Sequence, residues 1–254
     1  MPTGSLLSSA SSSFPVEAIR ARPLRCCLSL PQKSTHSASV LIECGFLCCE
    51  SLFALSALRF GFRLLCSDGK DPCKPLLFEH KEPIAAVIRD RAQWARVAWD
   101  NAGQMAKARD KVELKQLLLW QSSDVGIWQL KALKLSAGPS AYLLHDGRRT
   151  AAVRARLRLN RCSLNASLAE RKITADPNCA VCAVPETVEH CLLDCPVFTA
   201  ARQQCRAALD FLGLDLSFGM VLGAVESITP AERRRSALAA TGHFLNAIDS
   251  VRRL

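Results

Sequence analysis

The chain has no uncharged apolar run of the roughly 18 to 20 residues that a membrane span requires. Its most apolar stretch, from Ser39 to Cys66, is interrupted by Glu43, Glu50, Arg59 and Arg63. The first residues lack a basic segment followed by an uninterrupted apolar core, so no secretory signal is legible. Cysteine is missing between Cys73 and Cys162. No cysteine has both a second histidine and an acid that sequence would place beside it, which leaves no case for a nucleophilic thiol. These absences argue against a membrane protein, and with no route to an oxidising compartment they favour metal binding over disulfides.

What is present is an ordinary globular mixture, 49% hydrophobic and 22% charged over 254 residues, enough for one large or two small domains. The formal charge of +10 and the 13 cysteines stand out. Seven cysteines lie between Cys26 and Cys73, and six from Cys162 onward. Only the second group has a histidine at ligand spacing.

That group contains Cys179, Cys182, His190 and Cys195, in the pattern Cys-x2-Cys-x7-His-x4-Cys. Three thiolates and one imidazole saturate a tetrahedral zinc ion and leave no position for water or substrate, as in a structural site. The tight turn through Ala180 and Val181 brings two sulfurs to one ion. The seven-residue crossing leads to a short helix started by Glu186 or Thr187, with His190 projecting from it and Leu192 and Leu193 turned inward. Cys195 then closes the shell ahead of Pro196, a suitable first helical residue. Cys191 is an alternative to Cys195 as the third sulfur, but it sits about 100° around the helix from His190. Such sites gain about 10 to 16 kcal/mol from the metal in peptides, so the loop is expected to depend on its ion for order. A Cys179–Cys182 redox pair is the weaker reading, because Pro177 and Asn178 suggest a turn where a thioredoxin-like motif needs a strand.

From Arg148 to Lys172, eight basic residues face one acid, Glu170. The stretch Arg148 to Leu168 reads as one helix, with Val153, Leu157, Leu164 and Leu168 on an apolar side and Arg154, Arg158, Arg161 and Asn165 along a neighbouring edge. A guanidinium edge suits phosphate contact, and a solvated face is the plain alternative. With Arg148 and Arg149, these are the candidate nucleic-acid contacts.

The remainder reads as mainly α. A long helix from Pro83 to about Trp120, bent near Gly103, precedes a second one capped by Asp124 and stopped by Gly138 and Pro139. Trp94, Trp99, Trp120 and Trp128 read as core packing before base-stacking platforms. Another helix carries Phe198 to Leu212 and ends at Gly213. The last begins with a Thr229–Glu232 capping box and carries Leu238, Phe244, Leu245, Ile248 and Val251. Up to Ile42, ten serines, four Arg or Lys and the single acid Glu17 resemble an organellar transit peptide. The expected organisation is a low-order, Ser- and Cys-rich leader over residues 1–75, a helical segment over 76–145 and a helical zinc-binding domain over 146–254.

The arginine helix with Arg154, Arg158 and Asn165, the Asp176–Pro177 turn, Cys179 and Cys182, the run Glu186-Thr187-Val188-Glu189-His190, the run Leu192-Leu193-Asp194-Cys195-Pro196, and Arg202 together resemble the C-terminal zinc-binding region of non-LTR (LINE-type) retrotransposon reverse transcriptases. The strong match covers about a quarter of the chain. The resemblance implies ligand roles for the three cysteines and His190, and RNA or DNA backbone contact by the preceding arginines. The chain departs from the family in having no adjacent aspartate pair of the polymerase type and no room for fingers and palm, so polymerisation is not expected of this detached tail.

The leading expectation is thus a non-enzymatic, zinc-stabilised helical module that binds RNA or DNA through its arginine-rich helix, without catalytic residues or a membrane partner. The alternatives are a zinc-stabilised structural or protein-interaction module and a thiol oxidoreductase. Its expected place is nuclear or cytoplasmic, with organellar targeting by residues 1–42 the other reading.

Overall fold

The computed structural model describes residues 15–31, 36–66, 81–96, 104, 107–123 and 128–254. It is mainly helical, as the sequence implies, and no strand occurs among the described residues. The described helices fall into two compact units, one within Phe46–Asp124 and the other joining Ser13–Gly45 to Val125–Leu254.

The first unit packs α3 (Cys49–Cys66), α4 (Lys81–Ala95) and α5 (Ala108–Ser122) around Leu47, Leu55, Leu58, Ala92, Ala95, Ala108 and Val112. Trp94 packs against this cluster and Trp120 is fully enclosed, so both serve packing; Trp99 and the side chain of Trp128 lie outside what is described. The expected long helix is two helices. α4 ends where Arg96 adopts φ 54°, a left-handed conformation that breaks the i to i−4 ladder. The bend expected at Gly103 and the cap expected at Asp124 lie outside the described residues.

The second unit contains α1 (Pro15–Cys27), α2 (Ser37–Glu43), α6 (Trp128–Leu133), α7 (Tyr142–His145), α8 (Arg148–Arg158), α9 (Asn165–Glu170), α10 (Thr199–Asp210), α11 (Phe218–Val221) and α12 (Ala231–Val251). α12 is its spine and packs on α8, α10 and α11. It buries Leu238, Phe244, Leu245 and Ile248, which recur at helical spacing. Its capping box does not form: the N-cap is Pro230, one residue beyond Thr229, and no side-chain cap bond is made.

The expectation of a low-order leader over 1–75 is corrected for its described part, which forms α1, α2 and α3. α2 belongs to the second unit. Its last residue, Glu43, accepts a backbone hydrogen bond from Ser140 at 3.1 Å, and Cys44 bridges Pro139. Gly45 makes this crossing possible. Its φ is +71°, and a Cβ there would lie 2.2 Å from the Pro139 nitrogen.

A second correction concerns the arginine segment. α8 stops at Arg158 because Asn160 takes φ 48°, and α9 begins only at Asn165. The apolar side holds across the break, with Val153, Leu157 and Leu164 fully buried. The edge of Arg154, Arg158, Arg161 and Asn165 does not, since it needs one continuous helix.

Candidate metal centre

The chain reverses tightly after Pro177. Asn178 pairs with Pro185 in an isolated bridge, Cys179 N–H donates to Val184 O at 2.7 Å, and Ala183 N–H returns to Cys179 O at 2.9 Å. Ala183 completes the knuckle at φ 55°. The predicted short helix follows. Thr187 Oγ1 accepts from His190 N–H at 3.0 Å, the capping role expected there, and His190–Asp194 forms a π-helical turn. Pro196 opens a 3-10 turn that leads into α10.

This path brings the donor atoms of Cys179, Cys182, His190 and Cys195 within 4.8 Å of one another, a set that could hold a metal ion. The sulfurs of Cys182 and Cys195 are 3.9 Å apart. His190 Nε2 is buried and has no hydrogen-bond partner among the described residues, a costly arrangement for an imidazole nitrogen that binds nothing. Burial pushes the Cys179 thiol up. Hydrogen bonds from the backbone of Val181 and Cys182, helped by the His190 and Cys182 side chains, outweigh this and bring it down to about 7. Desolvation and the neighbouring sulfurs of Cys179 and Cys195 push Cys182 up to about 11. Crowded sulfurs of this kind resist ionising together unless a cation sits among them. Cys191 stays apart from the set, fully buried, its thiol pushed up to about 12 by desolvation and then by Glu186 and Cys195.

Two arginines brace the centre. Arg202, on the buried face of α10, donates to Leu192 O at 2.9 Å and to Cys195 O at 2.7 Å. Those carbonyls lie at the end of the π-helical turn, and Cys195 O also accepts from Phe198 N–H at 3.2 Å. Arg252, just past α12, donates to both oxygens of Glu186 at 3.0 Å, to Ser163 O at 2.7 Å and to Asn165 Oδ1 at 3.2 Å. Glu186 also accepts from Asn165 N–H at 2.7 Å, and Asn165 Nδ2 donates to Asn178 O at 2.7 Å, next to Cys179. The Arg252 contacts hold the Glu186 carboxyl below its usual range, against the opposing effect of burial. Arg202 stands in the motif run, whereas nothing local in the sequence marks Arg252 as a partner of Glu186.

The predicted nucleic-acid contacts fare differently. Arg154 and Arg158 are fully buried and cannot face a phosphate chain. Arg154 donates from Nε to Asp146 Oδ2 at 2.8 Å and through its terminal nitrogens to Val221 O, Leu238 O and Thr241 Oγ1. Arg158 donates from Nε to Glu43 Oε1 at 2.6 Å and from Nη1 to Leu222 O at 2.8 Å. The Tyr142 ring lies 5.8 Å and 5.4 Å from the two guanidinium carbons, and its hydroxyl donates to Glu43 Oε1 at 2.7 Å. Asn165 is spent on the metal loop. Arg161 is half-buried and donates to Asn160 O at 3.0 Å. Arg149 is exposed and pairs with Asp249 at 2.9 Å. Arg148 is exposed. The six candidates therefore do not form one surface.

No helix among the described residues is long and apolar enough to cross a membrane. No protein family, curated protein or solved structure matches the chain.

Proposed function

We propose that the second unit is a non-catalytic, zinc-stabilised helical module in which one Zn²⁺, held by Cys179, Cys182, His190 and Cys195, sets the fold of the loop between α9 and α10. The observation that carries this reading is the convergence of three sulfurs and one imidazole within 4.8 Å, with His190 Nε2 buried and unpartnered. Soft thiolates with one imidazole select Zn²⁺ over hard cations, and four protein donors close the shell against substrate. The burial of Arg154 and Arg158 supports the structural or protein-interaction reading over phosphate contact by those two side chains. The likeness to a reverse transcriptase zinc-binding tail rests on the motif run from Arg148 to Arg202, and it supports the ligand roles of the three cysteines and His190.

The test is metal analysis of the purified chain with a chelator titration followed by circular dichroism. One zinc per chain, and loss of cooperative unfolding when it is stripped, is the expected result. A metal-free chain with unchanged stability would overturn the proposal.

A further inference from the structure

A cleft of about 440 Å³ lies away from the metal centre, between the start of α8 and the exposed side of α12. Its lining includes His145, Gly147, Thr150, Arg235, His243 and Asn246. Arg235, His145 and His243 are exposed N–H donors, the first and last about two turns apart on α12 and His145 at the end of α7. The acid at its edge, Asp146, is committed elsewhere: its carboxylate is 4% exposed and paired with Arg154. The cleft therefore presents donors without a competing free carboxylate.

α8 carries charge against its own dipole, whereas the arginine-rich start of α12 has Glu232 in its first turn. α8 starts with Arg148 and Arg149 and has no acid in its first turn, and Arg233, Arg234 and Arg235 follow closely on the start of α12. Cations at a helix N-terminus are unfavourable, so each needs compensation. Arg149 finds it in Asp249, and Arg233 in the carbonyls of Leu212 and Gly213 at 2.8 Å each. Arg235 has no ion-pair partner among the described residues, and it projects into the cleft wall. Gly147 at the N-cap of α8 has no side chain with which to cap the first-turn N–H groups. The floor is tight: a Cβ on Gly242 would come 3.1 Å from Thr150 Cγ2, so α8 and α12 touch here and fix the donors relative to each other.

We propose that this cleft binds a phosphate group, with Arg235 supplying the cation, His145 and His243 directing N–H donors, and the α8 N-terminus adding its backbone amides and dipole. The phosphate comes from either of two sources: a terminal monoester, as on a nucleotide, or the diester backbone of a nucleic acid. This assignment is independent of the zinc reading, because none of its residues touches the metal loop.

The test is calorimetric titration of the zinc-loaded full chain with inorganic phosphate, with a nucleoside 5′-monophosphate, and with a short oligonucleotide lacking a terminal phosphate. Saturable binding of phosphate and of at least one other probe is expected, and the stronger of the two identifies the source. The double variant Arg235→Ala with His243→Ala should weaken it by about tenfold or more, with zinc content and unfolding midpoint unchanged. Arg206→Ala, which removes another exposed charge, from α10, should leave affinity as it is. No saturable binding, or equal losses in the cleft variant and in Arg206→Ala, would overturn the proposal.

Discussion

Arg158 and Glu43 form a fully buried ion pair across 115 residues of sequence, with 2.6 Å between Nε and Oε1. The acid comes from the segment that composition alone assigns to a leader. Burial alone would raise the Glu43 carboxyl; the charge and hydrogen bonds of Arg158, then Tyr142 and Lys134, hold it below its usual range instead. The pair therefore makes the N-terminal helix α2 part of the second unit's core.

Removing one partner leaves a buried charge without compensation, which costs about 3 to 5 kcal/mol. Glu43→Gln and Arg158→Met should each lower the unfolding free energy by that order in urea denaturation. The double change to apolar residues, Glu43→Leu with Arg158→Met, should cost less than the sum of the singles, the remainder being the partners left to the Tyr142 hydroxyl and Leu222 O. A double variant as unstable as the sum of the singles would show that the pair is not the unit that matters.

The same carboxylate sets a pH dependence. Its folded pKa lies below the unfolded value, so the stability it contributes is fully present above the ordinary carboxylate pKa of about 4 and is lost as pH falls through the lower folded value. Glu186 and Asp249 shift in the same direction and add to the effect. Unfolding free energy measured from neutral to acidic pH should decline on the acid side, and Glu43→Gln should make that decline shallower.

Arg154 and Arg148 lie on one helix but in opposite environments, the first fully buried and the second exposed. Arg154→Ala should destabilise by several kcal/mol, because it strands the buried Asp146 carboxylate and takes a donor from Val221 O. Arg148→Ala should stay within about 0.5 kcal/mol of the parent. Thermal denaturation of the two variants side by side checks this contrast.

Arg202 holds two carbonyls that end the metal-binding turn. Arg202→Met should keep the side-chain volume and lose both bonds. Partners of this outer kind change metal affinity by about 10- to 100-fold. Competition against a chromogenic zinc chelator should report a loss in that range, whereas Cys191→Ser, outside the ligand set, should keep its ion.

The metal loop was legible in the sequence because its information is local. Cys179 to Cys195 is a short span, and ligand spacing, the Thr187 cap and Pro196 all act within a few residues. The buried arginines were not legible for the opposite reason. Periodicity correctly placed Arg154 and Arg158 beside the apolar side of α8, but whether that edge meets water or Glu43 depends on a partner far along the chain. Arginine's rarity in cores argued for water. The break at Asn160 was missed because the apolar spacing of Val153, Leu157 and Leu164 continues across it, so the periodic signal outlasts the helix. Arg252 reaches Glu186 by tertiary docking of α12, and no spacing rule points to it.

The most direct test of the central claim is X-ray absorption at the zinc edge of the purified chain. A shell of three sulfurs at about 2.3 Å and one nitrogen at about 2.0 to 2.1 Å is predicted, and Cys179→Ser should abolish it. A shell dominated by oxygen, or one unchanged in Cys179→Ser, would contradict the account.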